Sequence, residues 1–569
     1  MPTSGDIVHR PLVHALIFLA ACTNGGGVAT LDTTGSTDSG DTGPDAPRMT
    51  VTTSGPIVCV DPAAREEAYF DEVLAPGENE KPAWFWGGGI LTGDLDGDGH
   101  FEIILPGFYR TDLYRGQPGG GFALDDTALQ GLPVAAASGG SFADYDGDGD
   151  LDVLITRFRQ SNTLLRNDDG VLVDVSTAAG LPQDKRRTMG SSWGDLDGDG
   201  DLDLFLGNYG YIDQESDDPD HEAFEPAEPS WLLLNDGDGT FTDVSERLPQ
   251  QVHDGYTFTG GFLDVDRDGD EDLYVVNDFG NSFPNVLLQN QGDGTLVLGD
   301  QLGLDIAMTG MGLGVGDLNG DGFPDMAMTA WNGNWLVESA LDGTLWVDFS
   351  DAVGFENDLT RTQKVGWGVE LVDMDNDGDL DAPMAYGYLD STYQASTRQP
   401  DALYLQTDDG TFVDVGPAWG LNHPTIGRGF AAVDANDDGW IDIIKRDLEG
   451  PTIYAASRCG TASWLRVRLH QPTGMNRFAV GAHVRVVTGS STQERTVFAG
   501  TINHASGGPP EVHFGLGGND LVDRIEVTWP DGTVDTMAQL DGAPIAARQI
   551  LDLTRATDEG SSPGSVPGR

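Results

Sequence analysis

The sequence is poor in cysteine and in basic residues, and it has no apolar run long enough to cross a bilayer. Three cysteines among 569 residues, Cys22, Cys59 and Cys459, exclude the disulfide-dense scaffolds of small secreted modules. Lys and Arg number 30 against 93 Asp and Glu, a formal net charge of -63. Such a chain repels phosphate, so no nucleic-acid partner is expected, and multivalent cations are its natural ligands. The acidity does not mean a disordered chain, because 38% hydrophobic residues with 12 Trp and 23 Phe are ample for a packed core. The 79 glycines favour turn-rich β-structure, and the length suits one large repeat architecture plus a smaller unit.

At the N-terminus Arg10 precedes a short apolar run, 12–21, of the length of a secretory core and too short for a membrane-spanning helix. The run closes on Leu19-Ala20-Ala21-Cys22, which resembles the bacterial lipoprotein box. That resemblance implies cleavage before Cys22 and its lipidation, hence an outer-membrane or cell-surface lipoprotein, with ordinary secretion as the alternative. Residues 1–22 are read as this signal and 23–55 as a flexible Gly/Ser/Thr/Asp tether. Lipidation leaves Cys59 and Cys459, one just before the first repeat described below and one just after the last. In an oxidising compartment they are a candidate disulfide, worth roughly 5 kcal/mol on the chain-entropy model. Two unrelated thiols is the other reading.

One pattern recurs seven times: Asp at position 1, Asp or Asn at 3, Asp at 5, Gly at 6 and an acid at 9. The side chains are Asp94, Asp96, Asp98 and Glu102 in loop 1, Asp144, Asp146, Asp148 and Asp152 in loop 2, and Asp195, Asp197, Asp199 and Asp203 in loop 3. Loop 4 has Asp264, Asp266, Asp268 and Asp272, and loop 5 has Asp317, Asn319, Asp321 and Asp325. Asp373, Asp375, Asp377 and Asp381 form loop 6, and Asp434, Asn436, Asp438 and Asp442 form loop 7. Calcium takes six to eight oxygens, so a short loop must turn alternate carboxylates toward one point. Gly at position 6 permits the reversal that lets position 7 offer its carbonyl, whatever its side chain: His100, Asp150, Asp201, Asp270, Phe323, Asp379 or Trp440. Calcium at up to seven sites is the expected cofactor. Magnesium fits less well, because it prefers a rigid octahedral shell with retained water. Glu102, Asn319 and Asn436 should weaken the first, fifth and seventh sites.

Successive loops start 50, 51, 69, 53, 56 and 61 residues apart, a repeat period suited to a propeller. An EF-hand would need a Glu at position 12, where this chain has apolar residues or Lys445. Short apolar runs such as 151–155 follow the loops, and turn signals such as Asn167-Asp168-Asp169-Gly170 mark a second hairpin in each repeat. Two hairpins make four strands, the content of one blade. The reading is an all-β chain: a seven-bladed β-propeller over 56–460, a small β-domain over 461–553, and a disordered tail over 554–569. The second hairpin of the first repeat, 113–122, is the weakest.

The repeats, typified by Phe142-Ala143-Asp144-Tyr145-Asp146-Gly147-Asp148-Gly149-Asp150-Leu151-Asp152, resemble the FG-GAP/VCBS repeats of integrin α-subunit propellers and bacterial surface proteins. Gly481-Ala482-His483-Val484, 512–517 and 527–532 resemble the ASPIC/UnbV domain found after such repeats in cartilage acidic protein-like chains. The combination implies a secreted or surface protein. We expect a monomeric, non-enzymatic module for binding or adhesion to an extracellular protein or glycan, with membrane attachment only through lipid at Cys22. The insertion 208–229, with its acidic run 215–220 and with Tyr209, Tyr211 and Phe224, is the candidate contact loop. An enzyme using the propeller channel or rim, or a purely structural surface component, is the rival. His221, His253, His423, His470, His483, His504 and His513 are scattered without paired ligand spacing and read as structural residues.

Overall fold

The computed structural model describes residues 49–59, 70–74, 87–118, 121–210, 226–331, 333–340, 343–355, 364–388, 398–421, 423–500 and 503–556. The expected signal, Cys22 and most of the tether lie outside them, as do Tyr211, Phe224, His221 and the acidic run 215–220. No helix among the described residues is long and apolar enough to cross a membrane.

The repeats fold as antiparallel four-stranded sheets. In the second, Ala137–Ala143 leads through loop 2 into Asp152–Gln160, then Thr163–Asp168 and Val171–Asp174. The same order recurs in the third to sixth repeats, and the second and third sheets are joined where Arg186–Gly194 pairs with Asp152–Gln160. The strand after each loop is buried on both faces, as its continuous apolar run requires. The first repeat is complete: Asp112–Gly116 pairs with Phe122–Asp125 despite the weak turn signal.

First strands of consecutive sheets lie side by side, and Gly427–Val433 of the last meets Leu91–Gly93 of the first. An apolar cluster fills each junction, for instance Leu196, Phe205, Phe262 and Leu273 between the third and fourth sheets. Ile90, Ile103, Val433 and Ile444 form the junction that closes the ring. Each such side chain contributes about 1.5–3 kcal/mol when fully buried, so the junctions are the core of this propeller-like body. The outer strand of the last sheet comes from the other end of the chain: Phe70–Leu74 pairs with Ile453–Ser457. Beside this closure Cys59 and Cys459 are disulfide-bonded, with Cα atoms 5.5 Å apart across 400 residues of sequence.

The C-terminal unit has two four-stranded sheets around a shared core of Leu465, Val467, Val484, Phe514, Ile525, Trp529 and Leu551. Its boundaries differ from those read in the sequence. Met49–Thr53, assigned above to the tether, pairs with Gln549–Arg555, because Met49 and Val51 pack toward the core while Thr50 and Thr52 are exposed. Thr554 and Arg555, assigned to the tail, belong to that same strand.

This unit sits on the face of the ring that carries the loops, and residues 503–507 descend among the first strands. Thr92 N–H donates to the Gly507 carbonyl and Gly507 N–H to that of Ile90, both at 2.9 Å. Asn503 accepts the Val369 N–H at 2.9 Å and donates to the Phe430 carbonyl at 2.8 Å. His504 is fully buried between the rings of Phe258 and Trp367. Gly89 and Gly139 make room for this plug, since a Cβ on either would overlap the Ala505 carbonyl. The channel considered above as an enzyme site is therefore filled at this end.

Candidate metal centres

Every loop joins the first strand of its sheet to the second, and one hydrogen-bond scheme shapes all seven. The position-1 carboxylate accepts the N–H of the position-6 glycine: Gly99 to Asp94, Gly149 to Asp144, Gly200 to Asp195, Gly269 to Asp264, Gly322 to Asp317, Gly378 to Asp373 and Gly439 to Asp434, over 2.8–3.1 Å. These glycines have φ from 82° to 114°, the left-handed region in which a side chain is strained. The position-5 carboxylate accepts the position-7 N–H, as from His100 to Asp98 and from Trp440 to Asp438.

The position-9 acid ties the loop to the third strand. Asp152 Oδ2 accepts the Tyr145 N–H at 3.1 Å and its Oδ1 accepts the Asn167 N–H at 2.8 Å. Glu102, Asp203, Asp272, Asp325, Asp381 and Asp442 repeat this double bond between loop and third strand. Burial pushes Asp152 up to about 9, Asp203, Asp272 and Asp325 to about 8, and Glu102 to about 7. Burial and the neighbouring carboxylates likewise raise Asp144 to about 7.

Three carboxylates converge, with one oxygen of each within 4.8 Å of the others, in five loops among the described residues. They are Asp94, Asp96 and Glu102; Asp144, Asp146 and Asp152; and Asp373, Asp375 and Asp381, at positions 1, 3 and 9. Loops 3 and 4 bring together Asp195, Asp197 and Asp199, and Asp264, Asp266 and Asp268, at positions 1, 3 and 5. Loops 5 and 7, with Asn319 and Asn436 at position 3, show no such triplet among the described residues. Buried oxygens without a partner mark four of the five: Asp94 Oδ1, Asp146 Oδ1, Asp195 Oδ1 with Asp197 Oδ1 and Asp201 Oδ1, and Asp266 Oδ1. Converging carboxylates of which at least one buried oxygen is unsatisfied fit a divalent cation.

Sequence reasoning missed two sets of residues. Asn167 and Asn235, which belong to hairpin turn signals, and Asn290, which precedes one, each reach back to the preceding repeat. Asn235 Nδ2 donates to the Tyr145 carbonyl of loop 2 at 2.8 Å, and Asn167 and Asn290 serve Leu95 and Leu196 in the same way. The second set lies at position 4, where every loop has positive φ. Loops 1, 2, 3 and 5 have glycine there, whereas Arg267, Asn376 and Asp437 hold φ of 64°, 61° and 60° in loops 4, 6 and 7. All three side chains meet the C-terminal unit: Arg267 pairs with Glu494 and His483, Asn376 Oδ1 accepts from His513 Nε2 at 2.7 Å, and Asp437 pairs with Arg466. Burial lowers His483 to about 4 and His513 to about 3, so both imidazoles are neutral.

Tyr209, a candidate contact residue, is instead buried, its hydroxyl donating to Asp278 Oδ2 at 2.6 Å. A cleft of about 950 Å³ opens between loops 3–5 and the C-terminal unit near Arg485, Pro530 and Arg555.

A ring of four-stranded sheets with a carboxylate loop in each repeat, capped by a small β-domain, defines the class. The FG-GAP-like repeat model matches residues 94–155, 144–206 and 264–328, and the ASPIC and UnbV model matches 472–559, so the chain carries FG-GAP-like repeats followed by an ASPIC/UnbV segment. It is similar to Cartilage acidic protein 1 of Mus musculus, 24% identical over 88% of this chain and 78% of that one. Cartilage acidic protein 1 of Homo sapiens is 24% identical over 88% of this chain and 77% of its own. Among solved structures, virginiamycin B lyase from Staphylococcus aureus aligns with a TM-score of 0.40 at 10% identity, covering 68% of this chain and 98% of that one.

Proposed function

We propose that the protein is an exported, calcium-binding, non-enzymatic module that binds or adheres to an extracellular protein or glycan. The observation that carries the calcium reading is the convergence of three carboxylates in each of loops 1–4, each loop having at least one buried carboxylate oxygen without a partner. Left without a cation these groups repel one another and lack hydrogen bonds, a penalty of about 1–3 kcal/mol for each unmet polar group. Calcium in loops 1–4 satisfies them, calcium in loop 6 fits the converging Asp373, Asp375 and Asp381, and in each loop the ion tightens the connection between first and second strands. Because the ion binds the folded loop far better than the unfolded chain, its binding free energy adds to the stability of the ring.

Export is supported by the likeness to Cartilage acidic protein 1 and by the Cys59–Cys459 bond, which suits an oxidising compartment. The cleft beside loops 3–5 is a concave surface whose walls come from both units, so a partner seated there senses how they are docked. The test is the metal content of the purified chain by mass spectrometry, together with melting with and without chelator. Calcium at several equivalents per chain and a lower melting temperature in chelator are expected, and a metal-free chain with unchanged melting refutes the calcium reading. A glycan and protein binding screen that loses its hits in chelator tests the module itself.

A further inference from the structure

Loop 7 has the sequence of a metal loop but not the unmet demand of one. Asp434 Oδ1 accepts the Asp438 N–H at 3.0 Å and Oδ2 the Gly439 N–H at 2.8 Å, as in the sibling loops. Among the described residues, a side-chain donor to the position-1 carboxylate is peculiar to this loop. Arg466 Nη1, from the C-terminal strand Ser463–His470, donates to Asp434 Oδ2 and to the Asp434 carbonyl, each at 3.0 Å, while Nη2 donates to Asp437. The guanidinium and the Asp434 side chain are 1% and 0% exposed.

Asp442 and Asn436 are engaged as well. Asp442 Oδ2 accepts the Ala435 N–H at 3.1 Å and the Tyr454 hydroxyl at 2.8 Å, and Oδ1 the Ser457 N–H at 2.7 Å. Asn436 Oδ1 accepts the Asp438 N–H at 3.0 Å. Among the described residues no buried carboxylate oxygen of loop 7 lacks a partner and no three of its acids converge, in contrast to loops 1–4. The Trp464 ring packs so tightly on Gly439 that a Cβ there would overlap it. A divalent ion needs several free oxygens, and beside a buried guanidinium it is also repelled.

We infer that loop 7 takes no calcium: the cation it uses is Arg466, and the loop is the socket that holds the ASPIC/UnbV domain on the ring whether or not calcium is present. The inference rests on the calcium reading of the other loops. It explains why Asp437 keeps a side chain at a position where four siblings have glycine. It also separates two kinds of contact between the units, those through loops that bind metal and one that does not depend on it.

Two measurements on the full chain test it. Calcium per chain is counted by native mass spectrometry for wild type, Asp144→Asn, Asp434→Asn and Asp438→Asn. Asp144→Asn should lose one equivalent, and the two loop 7 variants none. Loss of an equivalent in Asp438→Asn overturns the inference, and this variant decides if Asp434→Asn fails to fold, because it leaves Asp434 and Asp437, to which Arg466 donates, unchanged. An unchanged count in Asp144→Asn instead refutes the proposed function at loop 2. The second measurement is hydrogen exchange of 503–507 at saturating calcium in Arg466→Met. Removing one partner of a buried ion pair should speed exchange there roughly a hundredfold. Exchange at the wild-type rate overturns the socket, and it does so whether or not any loop binds metal.

Discussion

Replacing Asp152 with asparagine separates the two jobs of the position-9 acid. Asp152 Oδ1 and Oδ2 accept the Asn167 and Tyr145 N–H groups at 2.8 and 3.1 Å, and the side chain is 1% exposed. Asparagine has the same shape but one acceptor, so its amide nitrogen must face one of those two N–H groups. A buried donor left without an acceptor costs about 1–3 kcal/mol, and this penalty is independent of metal. With calcium the variant also loses a charged ligand, so the deficit grows. Asp148, by contrast, is exposed and accepts the Asp150 N–H, a bond that water can replace. Asp148→Asn should therefore be near neutral in chelator. Denaturant titration of wild type and both variants, in calcium and in chelator, reads out the comparison. Asp152→Asn as stable as wild type in chelator would refute the structural role of the position-9 acid.

Two further outcomes are expected. The raised carboxylates Glu102, Asp144, Asp152, Asp203, Asp272 and Asp325 hold protons in the metal-free folded chain that the unfolded chain, with ordinary values of 3.8 and 4.5, has released near neutral pH. The folded state then binds more protons, so metal-free stability is full below about pH 4 as far as these groups decide it, and declines as pH rises through 7 to about 9. Melting in chelator at about pH 6 and 8.5 should show the higher temperature at the lower pH; in calcium the trend should flatten or reverse, since the ion favours the ionised carboxylates. Asn235→Ala removes the donor to the Tyr145 and Leu202 carbonyls and the acceptor of the Gly237 N–H, and should cost about 1–3 kcal/mol by denaturant titration, with faster exchange at the junction of the second and third sheets.

The loops were legible because their chemistry is local: position 1 to position 9 is one hairpin turn, and the residues that shape it are adjacent in sequence. The strand content followed from apolar runs such as Leu151-Asp152-Val153-Leu154-Ile155, whose buried aspartate would otherwise be out of place. The strand Phe70–Leu74 carries two acids in five residues, and what makes it a strand is an edge supplied by Ile453–Ser457 at the far end of the chain. Met49–Thr53 is a strand for the same kind of reason. Asn235 looks like turn chemistry because its partner, the Tyr145 carbonyl, stands 90 residues away. A side chain whose role is to meet a carbonyl in another repeat leaves no periodic trace in its own.

Position 4 shows how the two units shaped each other. A side chain in the left-handed region costs about 1–2 kcal/mol for an ordinary residue and less for Asn or Asp, so glycine is the default, and loops 1, 2, 3 and 5 have it. Arg267, Asn376 and Asp437 keep side chains there, and each touches the C-terminal unit. A repeat ring evolving alone would gain by replacing all three with glycine; one that must hold a cap at three points of the same face would not. The contacts that result are specific to each loop: a salt bridge with Glu494 at loop 4, a hydrogen bond from a neutral His513 at loop 6, and the Arg466 pair at loop 7. The cap thus has one rotational setting on a ring of similar repeats. That setting puts residues 503–507 among the first strands, where Gly89 and Gly139 have left space for them, so the identities of loop, plug and channel residues are consequences of a single docked geometry.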